Sequence, residues 1–203
     1  MGLGRADLSF TVLKADQVPL GRHPRWAVVG RSNVGKSSLL NALIHPQTMF
    51  RTGKTPGVTR GLIGAHVWMG QSEKSILEIV DCPGYGFAKA GEDFTASWQD
   101  LLDALKVQSQ ETGLHWIWLV DPQRSPGDLE SQMLQWIGQE PFSLIFTKSD
   151  LVGKSKRVLT ERAWKAWIER SSETVLWVSS KSAEGFQDLQ KRAKSFVRFR
   201  SSL

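Results

Sequence analysis

Gly30-Arg31-Ser32-Asn33-Val34-Gly35-Lys36-Ser37 meets every fixed position of the pattern G-x-x-x-x-G-K-[ST], the signature of a phosphate-cradling P-loop. Its flanks agree with that assignment. Trp26-Ala27-Val28-Val29 precedes it and reads as a short buried parallel strand. Ser38-Leu39-Leu40-Asn41-Ala42-Leu43-Ile44 follows it, with good helix formers and apolar residues at helical spacing. Strand, glycine loop and helix in that order turn a pattern match into a candidate site.

The residue types suit the chemistry. Gly30 and Gly35 let the backbone turn where a side chain would clash, so successive N–H groups face phosphate oxygens. The helix that follows offers its N-terminus, worth about half a positive charge, to the same anion. Lys36 is expected to reach the outer phosphates and the Ser37 hydroxyl to ligate Mg²⁺, with Ser38 in the same first turn.

The 203 residues suit one ordinary α/β domain with a sizeable core. Apolar residues make up 40% and charged residues 23%, which excludes a disordered chain. No run approaches a membrane span, and the first residues lack both a secretory apolar core and a myristoylation pattern, so no membrane association is expected and the location expected is cytoplasmic. Cys82 is the single cysteine, which rules out an internal disulfide and a thiolate zinc cluster, and the four histidines show no ligand spacing. Lysine and arginine exceed acids by 26 to 20, giving a net charge of +6 that permits a polyanionic partner such as RNA.

Residues 1–24 read as a leader in which Phe10-Thr11-Val12-Leu13 could form an edge strand; residues 25–203 read as one domain of alternating strands and helices. A stretch without periodicity, His45 to Gly61, contains Thr52-Gly53-Lys54-Thr55-Pro56-Gly57-Val58-Thr59-Arg60-Gly61. After a P-loop helix, such a loop suits a nucleotide-sensing switch, with Thr59 placing a hydroxyl on Mg²⁺ and its N–H on the terminal phosphate. Gly57, Val58, Arg60 and Gly61 are expected beside it.

Leu62–Trp68 and Lys74–Val80 read as strands joined by a turn at Gly70-Gln71-Ser72. The second runs into Asp81-Cys82-Pro83-Gly84-Tyr85-Gly86. An Asp at the carboxyl end of an apolar strand lies where open α/β sheets bind ligands, and Asp81 can hold a water on Mg²⁺. Gly84 has no side chain to keep its N–H from the terminal phosphate. Lys36, Thr59 and Gly84 are therefore the expected catalytic positions. Many P-loop nucleotide hydrolases place a water-orienting Gln after that glycine; here Tyr85 stands there, which predicts packing and slow basal turnover.

Further on, helices are expected over Phe94–Leu105, Asp128–Ile137 and 156–170, the last with Leu159, Ala163, Ala166 and Trp167 inward. Leu114–Val120 and Phe142–Phe146 are apolar strands, and the second ends in Thr147-Lys148-Ser149-Asp150. A carboxylate such as Asp150 accepts from both N1–H and the 2-amino group of guanine, whereas adenine N1 would face it as an acceptor. Lys148 would lay its stem along the base. The last strand, Thr174–Val178, leads into Ser179-Ser180-Lys181, whose amides beyond Val178 would meet the guanine oxygen. The last helix, Gly185–Arg200, turns Phe186, Leu189, Ala193 and Phe196 inward. It carries Lys191, Arg192, Lys194, Arg198 and Arg200 elsewhere, either a solvated face or an RNA contact.

With these stretches in order, the chain resembles the translation-factor-related P-loop GTPases, and within them the EngB (YihA/YsxC) family of bacterial ribosome-assembly GTPases. Gly-Arg-Ser-Asn-Val-Gly-Lys-Ser-Ser at 30–38, Thr-Pro-Gly-Val-Thr at 55–59 and Asp-Cys-Pro-Gly-Tyr-Gly-Phe-Ala-Lys at 81–89 carry the resemblance. It implies a three-layer, Ras-like α/β domain: a mostly parallel six-stranded sheet with helices on both faces. It also implies GTP and GDP binding with Mg²⁺, slow hydrolysis, a monomer, a role in maturing the large ribosomal subunit, and a link to cell division and septation. In related GTPases an Asn at the position of Asn33 helps hold K⁺; a simple turn-forming Asn is the other reading. A P-loop kinase or ATPase, and a GTPase regulating another protein partner, remain open alternatives.

Overall fold

The computed structural model describes residues 3–45, 49–50, 61–69, 76–86, 92–168 and 174–201. Among the described residues, eight strands and five helices follow in chain order: β1 (Gly4–Val12), β2 (Arg25–Gly30), α1 (Lys36–Leu43), β3 (Ile44–His45), β4 (Leu62–Trp68), β5 (Ile76–Asp81), α2 (Glu92–Val107), β6 (Leu114–Val120), α3 (Asp128–Ile137), β7 (Phe142–Phe146), α4 (Lys154–Ile168), β8 (Thr174–Trp177) and α5 (Phe186–Ser201). The sheet order is β3-β1-β4-β5-β2-β6-β7-β8. Strands β5, β2, β6, β7 and β8 run parallel, and β4 is antiparallel to both β5 and β1.

Every residue of β2 and β6 is buried, as a parallel sheet covered on both faces requires. Alternation along β2 divides the core in two. Trp26 and Val28 pack with Leu39, Leu40 and Leu43 of α1 and with Phe186, Leu189 and Ala193 of α5. Ala27 and Val29 face the other way, into a core shared with Trp98, Leu101 and Leu102 of α2, Met133 and Ile137 of α3 and Trp164 of α4. The result is the expected three-layer mostly parallel α/β sandwich.

Three expectations change. The sheet has eight strands rather than six, because β1 and the short β3 extend one margin. Ile44, expected as the end of the first helix, is extended (φ −115°, ψ 168°) and pairs with Gly4. The inward face of α4 is also different. Leu159 is 67% exposed and Ala163 and Ala166 lie outward, while Trp164 and Ile168 are buried. Two large apolar groups one turn apart outweigh two alanines and a leucine in setting the helix's rotation. The turn at Gly70-Gln71-Ser72 and residues Lys74 and Ser75 lie outside the described residues, as does the side chain of Phe94.

The fold places the carboxyl ends of β2, β5, β6 and β7 along one edge. β2 sits between β5 and β6, so the chain passes to one side of β2 and then to the other. The crevice at that reversal is the general ligand position of open α/β sheets.

Candidate functional site

The glycine loop leaves β2 at Gly30 and enters α1 at Gly35. A Cβ on Gly30 would lie 2.7 Å from the Leu119 carbonyl oxygen, so the loop can lie against β6 only without one. Gly35 has open space around it, but its φ of +104° is left-handed backbone that suits glycine. Asn33 also has positive φ, 66°, which fits its reading as a turn-former. Leu39 N–H donates to the Gly35 carbonyl, and helix geometry leaves the N–H groups before it without acceptors inside α1. Ser38 is exposed on that first turn. Lys36 is buried, an uncommon environment for an ammonium.

The segment after β5 is laced to this loop. Tyr85 N–H donates to the Gly30 carbonyl and Ser32 N–H to the Tyr85 carbonyl, while Cys82 N–H donates to Val28. A Cβ on Gly84 would meet Ser32 Oγ at 2.9 Å and Ser32 N and Cα at 3.0 Å. Any side chain there would push the two loops apart. Pro83 presents its carbonyl to Trp98 Nε1 at 2.9 Å, which ties the segment to α2. The Cys82 thiol is fully buried; burial pushes it far up, so it is an inert thiol that fills space. Arg31 turns its side chain to Glu130 of α3, 3.5 Å away. Val34 is buried beneath the loop.

Asp81 ends β5 with no exposed surface. Its Oδ2 accepts the Ser37 hydroxyl at 2.9 Å, and its Oδ1 is buried without a hydrogen-bond partner among the described residues. Burial raises its pKa, opposed by the Lys36 charge and the Ser37 hydrogen bond. A buried carboxylate oxygen with no donor suits a hydrated hard cation, as does the adjacent hydroxyl. Among the described residues no group of three or more His, Cys, Asp or Glu could hold a metal by itself. The donor set therefore fits Mg²⁺ that takes most of its oxygens from phosphates and water.

The third part of the site lies at the ends of β7 and β8. The Thr147 hydroxyl sits 2.8 Å from the Val34 carbonyl oxygen and 3.2 Å from that of Val120, which ties this end to the glycine loop. Lys148 adopts left-handed backbone (φ 53°), and its Nζ donates to Asp121 Oδ2 at 2.7 Å. Asp150 is exposed, and its Oδ1 accepts the Ser179 hydroxyl at 2.6 Å. Ser179 Oγ in turn accepts the N–H groups of Lys181 and Ser182, at 3.2 Å each. Ser149 N–H bonds the Val178 carbonyl, so the loops after β7 and β8 share a backbone contact. Ser180 and Lys181 are exposed beside them.

The structure thus brings together Gly30–Ser38, Asp81–Gly84, Thr147–Asp150 and Val178–Lys181. Gly61 is buried against the Val12 carbonyl at the start of β4. Gly57, Val58, Thr59 and Arg60 lie outside the described residues, as do Thr55, Pro56, Phe87, Ala88 and Lys89. Sequence reasoning missed Asp121, which follows an apolar strand just as Asp81 does; the same strand-end rule points to it. It also missed Glu184 and Arg157, which meet only in three dimensions.

A family model described as a 50S ribosome-binding GTPase matches residues 25–148. A probable GTP-binding protein EngB of Pelotomaculum thermopropionicum is 31% identical over 93% of this chain and 93% of its own length. The chain belongs to the EngB family of GTP-binding proteins. A second EngB relative, from Lachnoclostridium phytofermentans, is 32% identical over 97% of this chain and 96% of its own. Among solved structures, a probable GTP-binding protein engB superposes with a TM-score of 0.65 at 21% identity, covering 86% of this chain and 98% of that one. Era in complex with MgGDPNP and nucleotides of 16S ribosomal RNA gives 0.66 at 18% identity, over 86% of this chain and 56% of that one. These two show the fold. As an EngB-family P-loop GTPase, the protein is a GTP-hydrolysing enzyme. Among the described residues no helix is long and apolar enough to cross a membrane.

Proposed function

We propose that this EngB-family GTPase is a GTP/GDP switch that acts on the precursor of the large ribosomal subunit in the cytoplasm, with a downstream effect on cell division and septation. The observation that carries the guanine assignment is the exposed Asp150 carboxylate in the turn after β7, held on one oxygen by Ser179, three residues beyond the Thr147 that bonds the P-loop. The ribosomal part is supported by the description of the matching family model and by the exposed Lys191 and Arg198 of α5.

In this reading Gly30–Ser38 cradle the phosphates with backbone N–H groups, and Lys36 neutralises the outer ones. Mg²⁺ supplies charge neutralisation at the phosphate oxygens; Ser37, Thr59 and, through a water, Asp81 would hold it. Gly84 offers its N–H to the terminal phosphate, so loss of that phosphate releases the segment after β5. Thr147 and Lys148 frame the base, Asp150 accepts from its two donors, and the amides of Ser180 and Lys181 face its oxygen. Asn33 beside K⁺ is tested by comparing turnover in K⁺ and Na⁺; equal rates remove that ion from the reading.

Two measurements test the proposal. Asp150→Asn weakens GTP and improves xanthosine triphosphate, whose 2-oxo group needs a donor; an unchanged preference defeats the guanine assignment. Co-sedimentation with large-subunit precursors in the presence of a GTP analogue exceeds that with GDP and falls with salt, each neutralised RNA phosphate contributing about −0.7 to the log–log slope. Equal, salt-insensitive binding in both states defeats the ribosomal switch.

A further inference from the structure

Asp150 stands on a short turn, and the hydroxyl that holds it, Ser179 Oγ, belongs to a different loop. Selection of a base by one carboxylate requires both loops to keep their places to about half an ångström. One backbone bond between them, Ser149 N–H to Val178, is a thin tie for that task.

A denser connection lies behind them. Glu184, at the far end of the loop after β8, accepts the Ser149 hydroxyl on Oε2 and Arg157 Nη1 on Oε1, each at 2.5 Å. Arg157 Nη2 reaches Glu184 Oε2 at 3.0 Å and the Ser149 carbonyl at 2.7 Å, and its Nε reaches the Val152 carbonyl at 2.9 Å. The Glu184 carbonyl accepts the N–H of Ser179 at 3.2 Å. Arg157 stacks over Trp177 with its guanidinium carbon 5.3 Å from the ring centroid, which fixes the plane of the fork. One guanidinium and one carboxylate therefore grip the residue before Asp150 from both sides and hold the strand end that carries Ser179.

The arrangement is unlike a plain surface ion pair. The Arg157 and Glu184 side chains are 21% and 40% exposed, where charge attraction alone adds little stability. A bidentate fork adds direction rather than bulk stability. The Arg157 and Ser149 hydrogen bonds also hold the Glu184 carboxyl below the usual carboxylate range.

We infer that Arg157 and Glu184, through Ser149, form a clasp that positions the Asp150 carboxylate against the guanine 2-amino and N1 donors and so sets purine selectivity. They are positioning residues and touch no nucleotide themselves. The inference rests on the assignment of Asp150 as the guanine reader.

The test is calorimetric titration of the full chain with GDP and with inosine diphosphate, which lacks only the 2-amino group. Wild type is expected to favour GDP by about tenfold or more. Glu184→Gln, which keeps shape and loses charge, lowers that ratio about fivefold or more. Arg157→Lys does the same, since lysine keeps the charge without the fork. Ser149→Ala deletes one hydroxyl and no charge, and is the variant least able to disturb folding. A scaffold role alone would weaken both nucleotides equally, so a ratio within about twofold of wild type in all three variants overturns the clasp, whatever their melting temperatures. Absence of GDP preference in wild type instead removes the guanine assignment, and the clasp with it.

Discussion

Lys148 Nζ donates to Asp121 Oδ2 at 2.7 Å, joining the end of β7 to the end of β6 beneath the P-loop. The bond spans 27 residues of sequence and holds the one lysine whose stem is assigned to the base. Burial pushes the Asp121 carboxyl up, but hydrogen bonds from Lys148 and the Gln123 N–H, with Arg124 nearby, bring it below its ordinary value. A carboxyl depressed in the folded state stabilises the fold fully above the unfolded value of about 3.9 and loses that contribution as pH falls through the folded one. Asp121→Asn is therefore expected to lower the melting temperature at pH 6–7, and the difference from wild type should fade below about pH 4. Guanine nucleotide affinity should fall severalfold at neutral pH in the same variant. Thermal scans across pH with GDP titrations check both; an offset that persists in strong acid contradicts the assignment.

Tyr85 occupies the place where a water-orienting group is expected, yet its ring is buried and its hydroxyl accepts Trp118 Nε1 at 2.9 Å. The side chain packs into the core against Trp98 of α2, and it also lines the cavity beside Arg31–Val34 with its hydroxyl already committed to Trp118. Tyr85→Phe leaves the buried indole N–H without its acceptor, which costs about 1–3 kcal/mol. Urea unfolding should register that loss, while single-turnover GTP hydrolysis stays at the wild-type rate. A marked fall in the rate constant would return Tyr85 to the chemistry.

Asp81 is raised by burial, so its charged form opposes folding at pH values above the unfolded carboxylate pKa, and the penalty is relieved as pH falls through the folded value. A cation beside Oδ1, which has no hydrogen-bond partner among the described residues, would remove the same penalty. Asp81→Asn should consequently raise the melting temperature of the nucleotide-free protein in chelator at pH 7, by about 2–4 °C for each kcal/mol of relief. It should also shrink the extra stabilisation that Mg²⁺ with GDP brings to wild type. A variant that melts lower in chelator, or responds to Mg²⁺ as wild type does, argues against a metal-holding role.

The P-loop, Asp81 and Thr147–Asp150 were legible in the sequence because each is a contiguous pattern set by local backbone needs and framed by apolar strands. The extra sheet margin was legible only in part: Phe10–Val12, read as a possible edge strand, forms the end of β1, whereas Gly4–Ser9 and β3 went unread. In β1 the pairing shifts between Leu8 and Phe10, which breaks the alternation that announces a strand. The rotation of α4 was hidden because Val158 and Leu159 are exposed, whereas Arg157 and Glu161 face partly inward to serve polar contacts with Glu184 and Trp177. A helix that buries charged groups for a clasp gives no clean apolar stripe. Glu184 and Arg157 meet across 27 residues of chain, and nothing local marks either one.

Arg25 and Glu78 form the buried ion pair at the opposite ends of β2 and β5 from the site, with 1% and 3% of their side chains exposed. Arg25 also donates to Ser109 Oγ at 3.1 Å and to the carbonyls of Gln108 at 3.2 Å and Pro19 at 3.0 Å. Glu78 Oε1 accepts the Ser9 hydroxyl at 2.6 Å and lies 3.1 Å from His66 Nε2. The pair therefore joins β1, β2, β4 and β5 to the end of α2 and the segment before β2. Arg25→Ala strands a buried carboxylate and should lower unfolding free energy by about 3–5 kcal/mol. Guanine nucleotide affinity of the folded protein should stay at the wild-type value, since Arg25 and Gly30 are separated by the length of β2, roughly 17 Å. The apolar double replacement Arg25→Met with Glu78→Leu removes both charges, yet should recover only part of the loss. The Pro19 carbonyl would still lack its donor, a cost of about 1–3 kcal/mol where water cannot replace it, while the Gln108 carbonyl, the Ser109 hydroxyl and the Ser9 hydroxyl would each lose one bond but keep the Gly21 N–H, the Leu105 carbonyl and His66 Nε2 respectively. Urea unfolding of the three proteins with parallel GDP titrations decides it; full recovery in the double variant would mean that the ion pair alone, and not the network around it, fixes this end of the sheet.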